Sequence, residues 1–318
     1  VSAVAWQVLR RLLIFLAGIA VASVVVFWLL SGIGDPARIR LGLGATDESV
    51  AAMRAQMGLD RSLVTQYLDW AGGAIRGDFG VSYVSDAAIG PQLFDRLAVT
   101  LWLVFGAMIL SILIAVPLGM AAAMWHRRWS GTLISGIAQL GVAVPAFLVG
   151  FLLIAVFAVK LGWFPSGGYV VPAQDPLGFL HRMVLPWLSL GLVQAAVLTR
   201  YVRSAVLDEM GQDYLRTARS KGLTPWQAMI RHGLRNASIP VLTVIGLQMI
   251  TILVGAVVVE QVFVIPGIGS WLVDMVGNQD ILAVQAIVIT LVAIALLVSF
   301  VVDVIYLLVD PRLRVRRS

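Results

Sequence analysis

The sequence predicts an all-α integral membrane protein with six transmembrane helices and a small helical domain outside the membrane between the first and second. Three observations carry this. The 318 residues are 60% hydrophobic and 13% charged, whereas a soluble domain needs about a quarter charged residues to cover its surface with groups that water solvates. Apolar runs without any charge extend from Leu12 to Leu30 and from Leu97 to Trp125, and about 20 such residues cross the hydrocarbon core as a helix. The basic residues, finally, crowd into alternate loops.

Further apolar runs fall at roughly 132–159, 183–205, 238–263 and 281–309, giving about six spans with both termini on one side. The first run follows Arg10 and Arg11, as a secretory signal would. It is longer than a usual signal core, and no convincing cleavage site follows at Ser31-Gly32-Ile33-Gly34, so an uncleaved spanning helix is expected. The absence of Cys excludes a disulfide framework, a thiol nucleophile and a thiolate metal site.

Charge orients the chain. Arg10 and Arg11, Arg127 and Arg128, the group Arg200, Arg203, Arg216, Arg219, Lys221, Arg231 and Arg235, and the tail Arg312, Arg314, Arg316 and Arg317 share one side. The opposite short loops hold little beyond Lys160 and Arg182. Positive residues stay inside, which puts both termini in the cytoplasm of a multi-pass protein. The net charge of +6 is thus a topology signal, and no nucleic-acid partner is expected.

The segment 31–96 mixes Asp35, Asp47, Glu48, Asp60, Asp69 and Asp78 with bases and holds no spanning run. Thr46 followed by Asp47 and Glu48 reads as a capped helix start, Gly58 as a stop, and Leu63 to Trp70 as another helix. Helical patterning in so long a connection favours a small extracytoplasmic domain over a spacer. The chain then divides into 1–30 (N-terminus and first span), 31–96 (external domain), 97–309 (the remaining five spans) and 310–318 (basic tail).

The loop 206–238 between spans four and five is closely punctuated. Asp213 opens a short helix carrying Tyr214, Leu215, Arg216, Ala218 and Lys221, and Gly222 supplies its left-handed cap. Thr224-Pro225-Trp226-Gln227 reads as an N-cap, a proline at the first helical position and a capping-box Gln. The second helix is expected to bury Trp226, Met229 and Ile230 on one face. Two helices meeting at a glycine form an elbow, which either couples to a rigid partner or anchors the loop among lipid headgroups. Composition leaves both readings open.

Arg216-Thr217-Ala218-Arg219-Ser220-Lys221-Gly222, continued by Leu223-Thr224-Pro225, resembles the EAA loop of binding-protein-dependent ABC importer permeases. Arg216 and Thr217 replace the Glu and first Ala of the general motif, and the run Asp213 to Leu223 is similar to the oligopeptide/dipeptide branch. The resemblance extends to Gly34-Asp35-Pro36, Gly58-Leu59-Asp60, Gln66-Tyr67, Gly77-Asp78-Phe79-Gly80, Glu260-Gln261-Val262-Phe263, Pro266-Gly267-Ile268-Gly269 and Asp310-Pro311-Arg312. It implies a type I ABC importer permease fold in a prokaryotic plasma membrane. The implied partners are a second homologous permease, two cytoplasmic ATPase subunits or one fused chain, and an extracytoplasmic solute-binding protein. The implied cargo is peptide, with nickel complexes or other small solutes as the alternative. Asp213, Tyr214, Arg216, Thr217, Ala218, Arg219, Lys221, Gly222, Leu223 and Thr224 become the ATPase-coupling residues, and Pro266, Gly267 and Gly269 part of an external gate.

The chain carries no ATPase of its own. Lys160 and Lys221 are its only lysines and neither precedes Ser or Thr, so no Walker A loop exists, and ATP and Mg are expected in partner subunits. No catalytic residue and no bound cofactor or metal is expected, since His126, His181 and His232 lie far apart without ligand spacing. Gln139, Gln194, Gln248 and Gln285 are costly against lipid and are assigned to helix contacts or the translocation path. Asp303 is read as the main acid inside a span, paired with a nearby base. Pro117, Pro145 and Pro186 are expected to interrupt spans. An ion-gradient-driven transporter would need repeats and paired ionisable groups in the spans. An intramembrane protease would need a nucleophile and a base at one depth. Neither pattern is evident.

Overall fold

The computed structural model describes residues 3–42 and 44–309; Asp310, Pro311 and the expected basic tail with Arg312, Arg314, Arg316 and Arg317 lie outside the described residues. The described chain is built from helices, with one isolated antiparallel bridge between Val81 and Ala88. The helices are α1 (Ala3–Ser31), α2 (Pro36–Leu41), α3 (Asp47–Gln56), α4 (Leu63–Ile75), α5 (Ile89–Met124), α6 (Trp129–Ala143), α7 (Ala146–Leu153), α8 (Pro176–Met210), α9 (Asp213–Ser220), α10 (Pro225–Ala228), α11 (Leu234–Val262), α12 (Ile268–Gly277) and α13 (Ile281–Val309). Five are long and apolar enough to cross a membrane. Helices α6 and α7 pass the same length and composition test only together and are bent by 100° at their junction, so the described residues hold five or six candidate spans.

That bend falls at Pro145, one of the three prolines expected to interrupt spans. Pro145 clashes with a helical conformation at the residue before it, and Val144 accordingly adopts φ −93°, ψ 123°. Pro145 then becomes the N-cap of α7, which continues as a π-helix over Ile154–Lys160. Pro117 and Pro186, also expected to interrupt spans, lie inside unbroken α5 and α8. Neighbouring helices and local adjustments can re-satisfy the backbone groups that an interior proline frees.

The chain forms two compact units. One comprises 10–99 and 266–297. Its short helices start where side chains cap them: Asp35 accepts from the Ala37 N–H at 3.1 Å, Thr46 from Ser49 at 3.3 Å and Ser62 from Thr65 at 3.2 Å. Gly58 stops α3 with φ +69°. Helix α5 begins at Ile89, earlier than its uncharged run suggested, because Ile89 and Leu93 are fully buried against Ile268, Trp271, Ala283 and Ile287. Arg96 lies over the Trp271 ring at 5.2 Å, a cation–π contact that lets the charge share this apolar cluster. Asp280, fully buried, caps the start of α13 through the Ala283 N–H at 3.2 Å and accepts from Ser82 Oγ at 2.5 Å.

The other unit contains 100–265. Helices α5 and α8 meet through small residues. A Cβ on Gly106 would lie 2.1 Å from the indole nitrogen of Trp187, which instead donates to the Trp102 carbonyl at 3.1 Å. One on Gly119 would lie 2.6 Å from Val202. Close approach of this kind is how helices associate where lipid offers no hydrophobic advantage over protein.

Candidate functional site

Helix α8 runs to Met210, and the connection to α11 is tighter than the expected loop 206–238. Gln212 is the N-cap of α9, so Asp213 occupies the first helical turn, where its charge complements the helix dipole. After Ser220 the chain reverses at Gly222, whose φ of +94° is strained for any residue with a Cβ. Thr224 then caps α10: its side chain accepts from the Gln227 N–H at 3.3 Å, while the Gln227 side chain accepts from the Thr224 N–H at 3.0 Å. This is the reciprocal capping box that the sequence predicts.

The elbow is anchored from below. Leu215 and Ala218 are buried with Ala228 and Met229 in one cluster, which also takes Val202, Ala205 and Val206 of α8 and Met120 and Ala123 of α5. Leu223 and Trp226 pack against it, and Trp226 meets Trp125 edge to face with centroids 6.2 Å apart. Asn236 donates to the Tyr214 hydroxyl at 3.1 Å, and Tyr214 donates to the Glu209 carboxylate. Burial first, and then this bond to Glu209, hold the Tyr214 phenol above its ordinary value of 10.0.

Ile230 does not share the buried face. It is 56% exposed because Met229–Gly233 forms a π-turn, which rotates the residues after Met229 away from the register of a regular α-helix. Helix α10 is therefore a single turn that feeds through this π-turn into α11, not an independent second helix.

Opposite the anchored face, Asp213, Arg216, Thr217, Arg219, Lys221 and Thr224 are exposed. Arg216 pairs loosely with Asp213 at 3.6 Å. The elbow thus presents a basic, solvent-facing ridge on a base whose side chains interlock with two long helices.

The four glutamines differ in their surroundings. Gln139 is exposed beside a cavity of about 380 Å3 that Arg200 and Arg203 also line. Gln194 is buried on α8. Gln248 is buried on α11 with neither carboxamide atom hydrogen-bonded. Gln285 is buried on α13 and lines a different cavity of about 310 Å3, together with Arg61, Asp69, Trp70 and Tyr83. Gly267 caps α12 in an extended conformation, with Gly269 buried behind it and Pro266 exposed. Asp303 is half-buried. The acid that sequence reasoning passed over is Glu260. Fully buried near the end of α11, it accepts from Thr100 Oγ1 at 2.5 Å. Among the described residues, no group of three or more His, Asp or Glu side chains could hold a metal ion.

Comparison with known proteins fits this arrangement. Residues 115–315 match the family described as binding-protein-dependent transport system inner membrane component, and residues 5–104 match its N-terminal membrane component. The chain belongs to this permease family. The permease is 38% identical over 308 residues to the glutathione transport system permease protein GsiC of Escherichia coli (strain K12), covering 96% of the chain and 98% of that relative. It is 39% identical to the GsiC of Salmonella typhimurium, with the same coverage. Its fold is similar to that of an inward-facing structure of the MetNI methionine ABC transporter, with a TM-score of 0.56 and 19% identity over 69% of this chain and 96% of that one. The permease is accordingly a multi-pass inner-membrane component of an ABC importer.

Proposed function

We propose that this permease forms one half of the translocation pore of a short-peptide importer and that its elbow, Asp213 to Thr224, couples the pore to ATP hydrolysis by partner subunits. The observation that carries the reading is the elbow's two-sidedness. Leu215 and Ala218 are buried among side chains of α5 and α8, while Arg216, Arg219 and Lys221 face outward. A knob anchored in this way passes displacement to the helices it is packed against, because close-packed interiors transmit strain. A headgroup anchor needs an amphipathic helix with an apolar face for lipid, and the apolar side chains of α9 are instead used within the protein.

In this reading two ATPase subunits, or one fused chain, hold ATP and Mg, and a second homologous permease completes the pore. A solute-binding protein delivers cargo on the side of segment 31–96, and both termini are cytoplasmic. Each ligand acts by its different affinity for the inward-open and outward-open states. Glutathione is itself a short peptide, so relatives named for its transport support a peptide cargo.

The chain has no Cys, so a cysteine introduced at Lys221 is the only one it carries. In the intact assembly, a photo-activated cross-linker attached through that thiol is expected to capture an ATPase subunit, in a manner sensitive to ATP. Capture of lipid alone would favour the headgroup-anchor reading and reject coupling.

A further inference from the structure

The cavity beside Gln139 lies between α6 and α8 and is polar and basic, with Ser135, Gln139, Thr199, Arg200, Arg203 and Ser204 in its wall. An anionic oxygen is the partner that a planar guanidinium fork fits best, and Arg200 and Arg203 bring two such groups to one wall.

A second cavity, of about 280 Å3, shares Ala138 and Thr199 with the first and is walled by Ile114, Leu118, Ile137 and Leu192. Its lining is almost wholly apolar. The two form a head-and-tail pair running along the helices. From Arg203 to Leu192, α8 rises roughly 16 Å, close to the ~15 Å half-thickness of a hydrocarbon core.

The depth agrees. Helix α8 has 35 residues, a rise of about 52 Å against a core of ~30 Å, so about seven residues extend beyond the hydrocarbon at each end. In a helix centred on the core, Arg203, seven residues from Met210, stands at the edge of the hydrocarbon, from which an arginine side chain reaches the headgroups.

We infer that this pair of cavities is a binding site for one anionic glycerophospholipid, with its phosphate on Arg200 and Arg203 and an acyl chain in the groove toward Leu192. Assignment to the cytoplasmic leaflet rests on the orientation proposed above; the site itself does not. Thr199 on the cavity wall is one helical turn from Val202 and Arg203, and Val202 belongs to the cluster that anchors Leu215 and Ala218. The bound lipid therefore braces the stretch of α8 on which the elbow is mounted.

The test uses the intact assembly, purified in mild detergent and stripped of lipid. Equal amounts of palmitoyl-oleoyl phosphatidylglycerol and the phosphatidylcholine of the same chains are then added back, and native mass spectrometry counts each bound. The wild type is expected to retain phosphatidylglycerol preferentially. Arg203→Gln and Arg200→Gln should each weaken retention about fivefold, as expected for loss of one basic contact with an anionic headgroup. Arg203→Lys should keep much of the preference. Ile137→Trp, at a 61% exposed position, should lower retention by filling the groove with both arginines intact. Equal retention of both lipids, or phosphatidylglycerol binding unchanged in the Gln variants, overturns the site. So does unchanged lipid retention in an Arg203→Gln variant that loses uptake of peptides with a free C-terminal carboxylate but not of amidated ones, because the cavity then belongs to the transport path. Retention reads the site whichever leaflet it faces, so a wrong orientation and a wrong ligand give different results.

Discussion

Leu215 of the elbow and Gly233 of the adjoining π-turn are packed so closely that a Cβ on Gly233 would stand 3.2 Å from Leu215 Cδ1. The same Cβ would meet the flexible Met229 sulfur at 2.5 Å. Leu215→Ala should destabilise the protein by about 2–5 kcal/mol, the cost of removing a buried leucine that leaves a cavity. Gly233→Val overfills the same space and should cost about 1–3 kcal/mol. The double variant should be clearly less unstable than the sum, since the added side chain occupies the volume that the leucine vacates. Thermal unfolding of the four proteins in one detergent measures this, and strict additivity would show that the two positions do not share the space.

Gly222 makes a different demand. Its φ of +94° leaves open space around the missing side chain, with no heavy atom within 4 Å of the Cβ position, so a substitution there is penalised by backbone conformation rather than by a clash. A non-glycine residue held in the left-handed region costs roughly 1–2 kcal/mol, and a β-branched one more. Gly222→Val should therefore shift the elbow while the remote cores stay folded, and Gly222→Asn should be milder. The expected readout is ATP hydrolysis by the assembly that no longer drives uptake in the Val variant. Normal uptake in that variant would show that the turn tolerates reshaping and would remove it from the coupling machinery.

What was legible in the sequence follows from how local each signal is. The Thr224–Gln227 box, the Gly222 turn and the caps at Thr46 and Ser62 depend on residues within a few positions of one another. Of these, the Ser62 cap was not read, although Leu63 was placed at the start of its helix. The exposure of Ile230 was not legible, because a π-turn inserts its extra residue without a composition signal. Pro145 announced a break, but the size of the bend is set by packing. Glu260 was seen only as part of a motif. Its burial against Thr100 joins positions 160 apart, and no period or spacing along the chain records such a contact.

That contact makes a prediction of its own. Thr100→Val removes the hydroxyl from the fully buried Glu260 and should cost about 1–3 kcal/mol, the range for leaving a buried polar group short of a partner. Glu260→Gln keeps the size and an acceptor oxygen while replacing the carboxyl group. In a double-mutant cycle the two changes should couple by about 0.5–3 kcal/mol, as residues in one hydrogen bond do. A coupling indistinguishable from zero would mean that Glu260 is held by its other surroundings and that Thr100 contributes nothing specific.

Tyr83 supplies a pH signature for the unit formed by 10–99 and 266–297. Burial is the main cause that raises its phenol above the ordinary 10.0; the charge of Asp280 adds to it and Arg40 opposes it. A raised value in the folded state means that folded protein keeps a proton which the unfolded chain has already released. The corresponding stability is complete below pH 10.0 and drains away as pH rises through the folded value. Wild-type protein should thus lose melting temperature above about pH 10 more steeply than Tyr83→Phe, which has no proton to lose there. Near neutral pH the two should differ only by the removed hydroxyl. The difference between the two melting curves isolates Tyr83 from the lysines and other tyrosines that titrate over the same range. Parallel curves would mean that the phenol reaches water freely enough to ionise in place.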